Sequence, residues 1–473
     1  VNLLPHNRRQ MLQRSALSFG SLALAGLLEQ EGLLPKAQAG AAPSRLSTSI
    51  QSVIFIFLGG GPGQNDTFDP KPELTRLTGQ RVPDSIAKDV PQIARAPLDN
   101  LLASPWKFQR HGQSGIEVSE LFPHVALHID DLCVIRSMRH DSPIHAPAEY
   151  LSMTGALTGD RPSLGAWLSY GLGSENRDLP AFVVFRTGET LRPPAVASGF
   201  LPATYQGVQL DSRTCVPNLK LPADISSADR AAQLEFLSAL NRHHAAGLAE
   251  SELEARIASY ELGFRMQTAA AEAFDLAGET QETLRLYGLG EPPASGVEQK
   301  EADEYARIFL LTRRLVERGV RFIQIRSGGW DAHSDLLGNH GKKCGATDRP
   351  IAALLTDLKR RGLWNNTLVV WGGEFGRTPT CQPGDGKPGR DHSPSGYSIW
   401  LAGGPVRGGQ VIGRTDDVGY AAIERPVHPH DLHATLLHAL GIDQHQLFYE
   451  RNGRKELVTV NGGQVINEVF GQS

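Results

Sequence analysis

An α/β fold with a mainly parallel central sheet flanked by helices is predicted by three features of the sequence. Short apolar runs rich in β-branched and aromatic residues, such as Val53–Leu58, end in glycines and read as strands buried on both faces. Between them lie segments with apolar residues at helical spacing, such as Glu301–Arg318. Strand and helix alternate along the chain, with no internal repeat or low-complexity run. Strands buried on both faces belong to parallel sheets covered by helices, and ligands there bind beyond the carboxyl ends of the strands.

Taken in order, the first strand leaves through Gly59, Gly60 and Gly61 towards Asp66 and Asp69. Trp106–Gln109 reads as an edge strand and Ser119–Ile129 as a helix opening at Ser119. Asp131–Ser137 is a second buried strand, running into Arg139-His140-Asp141-Ser142-Pro143-Ile144-His145. Ser142 before Pro143 has the grammar of a helix start, giving a helix over Pro143–Met153. A strand feeding a helix with Asp, Ser and His at the junction is also where an α/β enzyme places a nucleophile or binds an anion. Ser142 is therefore either a cap or a nucleophile.

A helix at Trp167–Gly171 and a strand at Leu179–Phe185 follow. Residues 226–287 are rich in strong helix formers and read as a helical insertion. Beyond Glu301–Arg318, the strand Arg321–Ile325 ends in Gly328-Gly329-Trp330-Asp331-Ala332-His333. A helix over Ile351–Arg361 leads to the strand Thr367–Trp371, which ends in Gly372-Gly373-Glu374-Phe375-Gly376-Arg377. Asp391-His392 precede the strand Tyr397–Ala402, and Asp431–Leu440 is the last helix.

Composition bounds the function. The 473 residues are 40% hydrophobic and 21% charged, enough for a large core. A formal net charge of −4 gives no electrostatic case for nucleic acid or an anionic membrane surface. The four cysteines form no CxxC pair, which argues against a zinc knuckle or a dense disulfide framework and leaves one disulfide open. The N-terminus reads as an address: Arg8-Arg9, a weakly apolar stretch Ala16–Leu28, and Ala37-Gln38-Ala39. This is similar to a twin-arginine signal over residues 1–39, with the folded domain over 40–473. It implies the twin-arginine export machinery as a partner and a location in the periplasm or cell envelope. No other run approaches the ~18 apolar residues of a membrane span, so an integral membrane protein is not expected.

Several strand ends thus release glycine and then an acid or a histidine: Asp66, Asp331 with His333, Glu374, and Asp391-His392, with Asp141-Ser142 and His145 as a further junction. Each alone is a common turn sequence. Gathered at one end of one sheet, hard carboxylates and imidazoles suit a divalent metal such as zinc, manganese or calcium. No P-loop or GxSxG elbow occurs, and Gly59–Gly63 fails the dinucleotide-binding fingerprint.

The stretches LGGGPGQNDTFDPKP, DSPIHAPAEYLSMTG, GGWDAHSD, WGGEFGRTP and GRDHSPSGYSIWLAGGP resemble the sulfatase-like proteins known as domain of unknown function 1501. That family is placed in the alkaline phosphatase superfamily, which implies a metal-dependent hydrolase of sulfate or phosphate esters. The resemblance implies Asp66, Asp331, His333, Glu374, Asp391 and His392 as the metal set. The histidine expected four residues after Asp331 is Asp335, and Phe375 follows Glu374 where a ligand is expected. Asp141-Ser142 resembles the Asp-Ser of alkaline phosphatases, implying Ser142 as nucleophile. In the register of the sulfatase pattern CxPSRxxLxTG, His145 falls on the modified cysteine. A histidine cannot become formylglycine, so in that register His145 is a ligand, base or covalent nucleophile. Arg377 and Arg139 are the candidates for clamping the anion. The expected partner is an anionic ester, sulfated polysaccharide included. A silent metal-binding module that recognises anionic polysaccharide, and a phosphoryl-transferring relative, are the alternative readings.

Overall fold

The first strand, β1 (Ser52–Leu58), is buried along its whole length. Its alternate side chains enter two different cores: Ile54, Ile56 and Leu58 pack on one face of the sheet, Val53, Phe55 and Phe57 on the other. That two-sided burial follows from the period-two geometry of a strand covered on both faces. Each such side chain contributes about 1.5–3 kcal/mol of hydrophobic stabilisation. The computed structural model describes residues 50–88, 90, 98–188, 195–214, 225–245, 251–382 and 386–471. The proposed signal segment, residues 1–39, lies outside the described residues.

Eight strands form the central sheet: β1, β2 (Leu132–Met138), β3 (Phe182–Thr187), β4 (Val208–Leu210), β5 (Phe322–Ser327), β6 (Thr367–Gly372), β7 (Tyr397–Ala402) and β8 (Gln410–Ile412). Their order is β8-β2-β7-β6-β1-β5-β3-β4. All neighbouring pairs are parallel except those of β7, which runs antiparallel to both β2 and β6. The fold is thus a mixed, mostly parallel sheet between helical layers. The layers include α1 (His145–Thr154), α2 (Leu164–Leu172), α3 (Ser227–Ala245), α4 (Ser251–Phe274), α5 (Gln299–Glu317), α6 (Leu336–Arg360) and α7 (Pro429–Ala439). The described elements lie in one compact unit, Pro43–Ser473.

Three expectations change. Ser119–Ile129 is not an α-helix: Ser119 ends a short strand, Ile116–Ser119, and Val125–Asp131 is a 3₁₀ helix. Pro123 separates the two and lacks the N–H that a continuous helix would need. The helix read over Ile351–Arg361 is instead α6, beginning at Leu336 and containing Pro350. Asp335 caps it, its side chain accepting from Gly338 N–H, and the glycines of Gly338–Gly345 had masked its first half. The helix after β2 begins at His145, with Ile144 as its uncapped N-terminal residue, and not at Pro143. Cys133, Cys344 and Cys381 are free thiols, and no described helix is long and apolar enough to cross a membrane.

Candidate metal centre

The centre lies at the carboxyl edge of the sheet, where four segments meet. β5 ends at Ser327 and delivers Asp331 and His333; β6 ends at Gly372 and delivers Glu374 and Phe375. The loop after β2 delivers His145 as the first residue of α1. Because β7 is antiparallel, its start lies at this same edge, and His392 arrives just upstream of it. The glycines after β1 let these loops cross. Gly60 has φ +112°, and a Cβ there would sit 2.5 Å from Asp331 N; one on Gly61 (φ +77°) would sit 2.5 Å from Phe375 O. Only glycine fits both the conformation and the space.

One ligand atom from each of His145, Asp331, His333 and His392 lies within 4.8 Å of every other. Asp331 is the hub. Its Oδ1 is 2.9 Å from His333 Nε2 and 3.1 Å from His392 Nε2, and its Oδ2 is 3.1 Å from His145 Nε2. The two nitrogens His333 Nε2 and His392 Nε2 are themselves 3.0 Å apart. His145 Nε2 is buried with no hydrogen-bond partner, its approach to Asp331 being close in distance but poorly directed for a hydrogen bond.

The opposite ring nitrogens explain this convergence. His392 Nδ1 donates to Pro143 O at 2.7 Å, His145 Nδ1 to Glu374 Oε1 at 2.7 Å, and His333 Nδ1 to Gln382 Oε1. A backbone carbonyl and a carboxylate only accept, so the Nδ1 atoms of His392 and His145 carry protons, and the Nε2 atoms of all three rings are the ones turned towards Asp331. Phe375, wholly buried, floors the site with its ring 5.0 Å from that of His145 and 4.6 Å from that of His392. The Asp331 side chain is 35% exposed, whereas that of Glu374 is 0% exposed, so the site is open in front and dry behind.

Electrostatics agree with the geometry. Burial, the largest single influence on His145, disfavours its charge, but the neighbouring Asp331 and Glu374 carboxylates outweigh it and raise the group to about 9. Burial also acts to raise Asp331, yet His145, His392 and Arg377 hold it far below the usual carboxylate range. The centre is built to hold positive charge. Three imidazole nitrogens and one carboxylate oxygen, each ring backed by an oxygen acceptor, form a donor set suited to a divalent ion.

The other predicted residues are elsewhere or play other parts. Asp66 is not in the group: it is fully buried and bound through both oxygens by Arg390, at 2.8 and 3.1 Å, where a guanidinium already fills the space a cation would take. Glu374 stands behind His145, with Oε1 also accepting from Gly60 N–H at 2.9 Å. Asp391 accepts from His392 N–H at 2.7 Å and lies 3.8 Å from His333 Nδ1, also behind the ligand atoms. Arg377 is fully buried and committed to Gly60 O, Gly61 O, Arg390 O and Asp331 Oδ1; it braces the loops and has no face for an anion. Ser142 Oγ accepts from Ile144 N–H at 3.1 Å and donates to Ile144 O at 3.3 Å, closing a turn on its own loop. Arg139 is exposed, its backbone N–H donating to Val427 O at 2.8 Å. Arg390 and Gln382 were not anticipated, and neither position carries a sequence signal beyond Arg390 preceding Asp391-His392.

Fold and site together define a mixed α/β protein with a three-histidine, one-aspartate candidate metal centre at its sheet edge. The chain belongs to the family described as protein of unknown function (DUF1501), which matches residues 50–470. No curated protein matches the sequence. Similar solved structures include a phosphonate monoester hydrolase from Silicibacter pomeroyi, 10% identical, covering 89% of this chain and 77% of that one, TM-score 0.35. The PsFucS1 sulfatase from Pseudoalteromonas sp. is 14% identical, with coverage of 96% and 78% and TM-score 0.34. A mutant TAB5 alkaline phosphatase is 11% identical, with coverage of 84% and 100% and TM-score 0.33.

Proposed function

We propose that the protein is an exported, metal-dependent hydrolase of sulfate or phosphate esters, with His145, Asp331, His333 and His392 holding the ion. The observation that carries this reading is the convergence of three imidazole Nε2 atoms on one carboxylate at an exposed sheet edge. The donor set fits zinc or manganese; calcium prefers six to eight oxygens and is poorly matched. Bound there, such an ion would supply a lowered pKa for a water and polarisation of an ester oxygen.

The chain's own residues orient the centre. Arg377 fixes Asp331, Pro143 O and Gln382 fix His392 and His333, and Phe375 keeps water from the rear. Among the described residues no base hydrogen-bonds the Ser142 hydroxyl, which favours water over a serine nucleophile. The donors of Arg377 are engaged, which leaves the exposed Arg139 as the remaining arginine candidate for holding an anion. Export through the twin-arginine pathway to the periplasm or envelope, and sulfated polysaccharide as substrate, extend the same proposal. The test is metal content, together with turnover of aryl sulfates, phosphates and phosphodiesters, for the full chain and for His392→Ala. Metal-dependent turnover lost in the variant supports the reading. Metal bound without turnover of any ester would leave a binding module, and no bound metal would sink the site.

A further inference from the structure

Glu374 differs from the other groups behind the centre. Of the three acceptors hydrogen-bonded to the Nδ1 of a ligand imidazole, it is the carboxylate; Pro143 O and the Gln382 amide are neutral, and Asp391 stays 3.8 Å from His333 Nδ1. It is also wholly buried, with Oε1 receiving both Gly60 N–H and His145 Nδ1–H while Oε2 has no hydrogen-bond partner. An ionised carboxylate in that position is costly unless positive charge lies close by. Asp331 is already paired with the buried Arg377 guanidinium, so a divalent ion held by the four ligand residues would draw on the further negative charge of Glu374 behind it.

We infer that Glu374 is a positioning residue that contributes no ligand atom: it fixes the His145 ring with Nε2 towards Asp331 and supplies a buried countercharge for a divalent ion. This rests on the metal-centre reading above. The substitution Glu374→Gln keeps a side-chain oxygen to accept from His145 Nδ1–H and removes the charge, whereas Glu374→Ala removes both. Zinc affinity and the visible spectrum of the cobalt-substituted protein are measured on the wild-type full chain and on both variants, with circular dichroism to confirm folding.

Glu374→Gln is expected to weaken zinc binding roughly 10- to 100-fold with the cobalt spectrum retained. Glu374→Ala is expected to weaken it further and alter the spectrum, because the ring is free to turn. A purely structural carboxylate would lower thermal stability and leave both readouts unchanged. Wild-type zinc affinity in a folded Glu374→Gln protein would overturn the countercharge role. An unchanged cobalt spectrum in Glu374→Ala would overturn the orienting role. A wild-type chain that binds neither ion would overturn the metal reading itself, which separates the two failures.

Discussion

His333 and His392 place their Nε2 atoms 3.0 Å apart, although the Nδ1 of each ring already faces an oxygen acceptor. Two lone pairs at that separation repel unless a cation or a shared proton draws them together. Replacing one of the rings should therefore damage ion binding more than it damages the fold. His392→Ala is expected to lower zinc affinity by more than the ~10–100-fold typical of losing a supporting hydrogen bond, with melting temperature little changed. Titration with zinc, read by calorimetry, checks both the loss and its size.

Gly60 tests how the loops are allowed to meet. At φ +112°, with Asp331 N 2.5 Å from the position of a Cβ, it can accept no side chain without displacing the hub of the centre. Gly60→Ala is expected to cost about 2–3 kcal/mol of stability through backbone strain and to reduce bound metal in the protein that still folds. Urea melts and metal analysis of the same preparation measure the two effects. Full metal occupancy with an undisturbed melt would show that the crossing is looser than its distances state.

Asp66 and Arg390 form a buried pair, so their substitutions should act on the fold rather than on the ion. Arg390→Ala leaves a carboxylate buried and unpaired, an expected loss of about 3–5 kcal/mol. Asp66→Asn combined with Arg390→Gln removes both charges and should recover most of that loss. The double variant is expected to keep the wild-type metal stoichiometry, measured by elemental analysis. A loss of metal in a folded double variant would return Asp66 to the ligand set.

How far the sequence could be read depends on what each residue's partner is. The sheet was legible because β1, β5, β6 and β7 are apolar runs bounded by glycine, and burial on two faces leaves that mark in any sequence. Asp331 and His333 were legible because they sit just beyond a strand end, and His392 because it sits just before a strand, one that proves to run the other way. Asp66 also sits beyond a strand end and reads as a ligand, since nothing local distinguishes a carboxylate that meets an ion from one that meets Arg390, 324 residues away. The same holds for Arg377, whose four acceptors come from three separate loops. His145 was legible as chemistry and ambiguous in role, because its role is set by Glu374 and Asp331 and by nothing in its own segment.

Ser142 offers a direct separation of mechanisms. Its hydroxyl is turned onto Ile144, and no described imidazole or carboxylate hydrogen-bonds to it. If water attacks the ester, Ser142→Ala should leave kcat/KM within about threefold of wild type, whereas loss of a covalent nucleophile costs on the order of 10⁴-fold or more. Steady-state kinetics on whichever aryl ester the protein turns over decide between them.

Acid stability follows from three histidines that serve the fold as neutral groups. His140, His340 and His433 are each lowered to about 4, burial being the main cause. Their contacts suit the uncharged ring: His340 Nε2 accepts from Gly63 N–H at 2.9 Å, His140 Nδ1 accepts from Ser142 N–H at 3.2 Å, and His433 Nε2 donates to Ser152 O at 2.8 Å. In the unfolded chain each titrates near 6.5. The folded value lies below the unfolded one, so the unfolded state binds protons first as pH falls. Stability is then fully present above about pH 6.5 and declines progressively towards pH 4, where the folded state begins to titrate as well. Near pH 5 each ring costs on the order of 2 kcal/mol, offset in part by His145, whose folded value lies above the unfolded one and so adds stability as pH falls. Urea melts between pH 7.5 and 4.5 should show a falling midpoint with an unchanged slope. Restoring part of the loss with His433→Gln, whose amide can still donate to Ser152 O, would assign it to that ring. A midpoint flat down to pH 5 would mean that these rings are not held neutral by the fold.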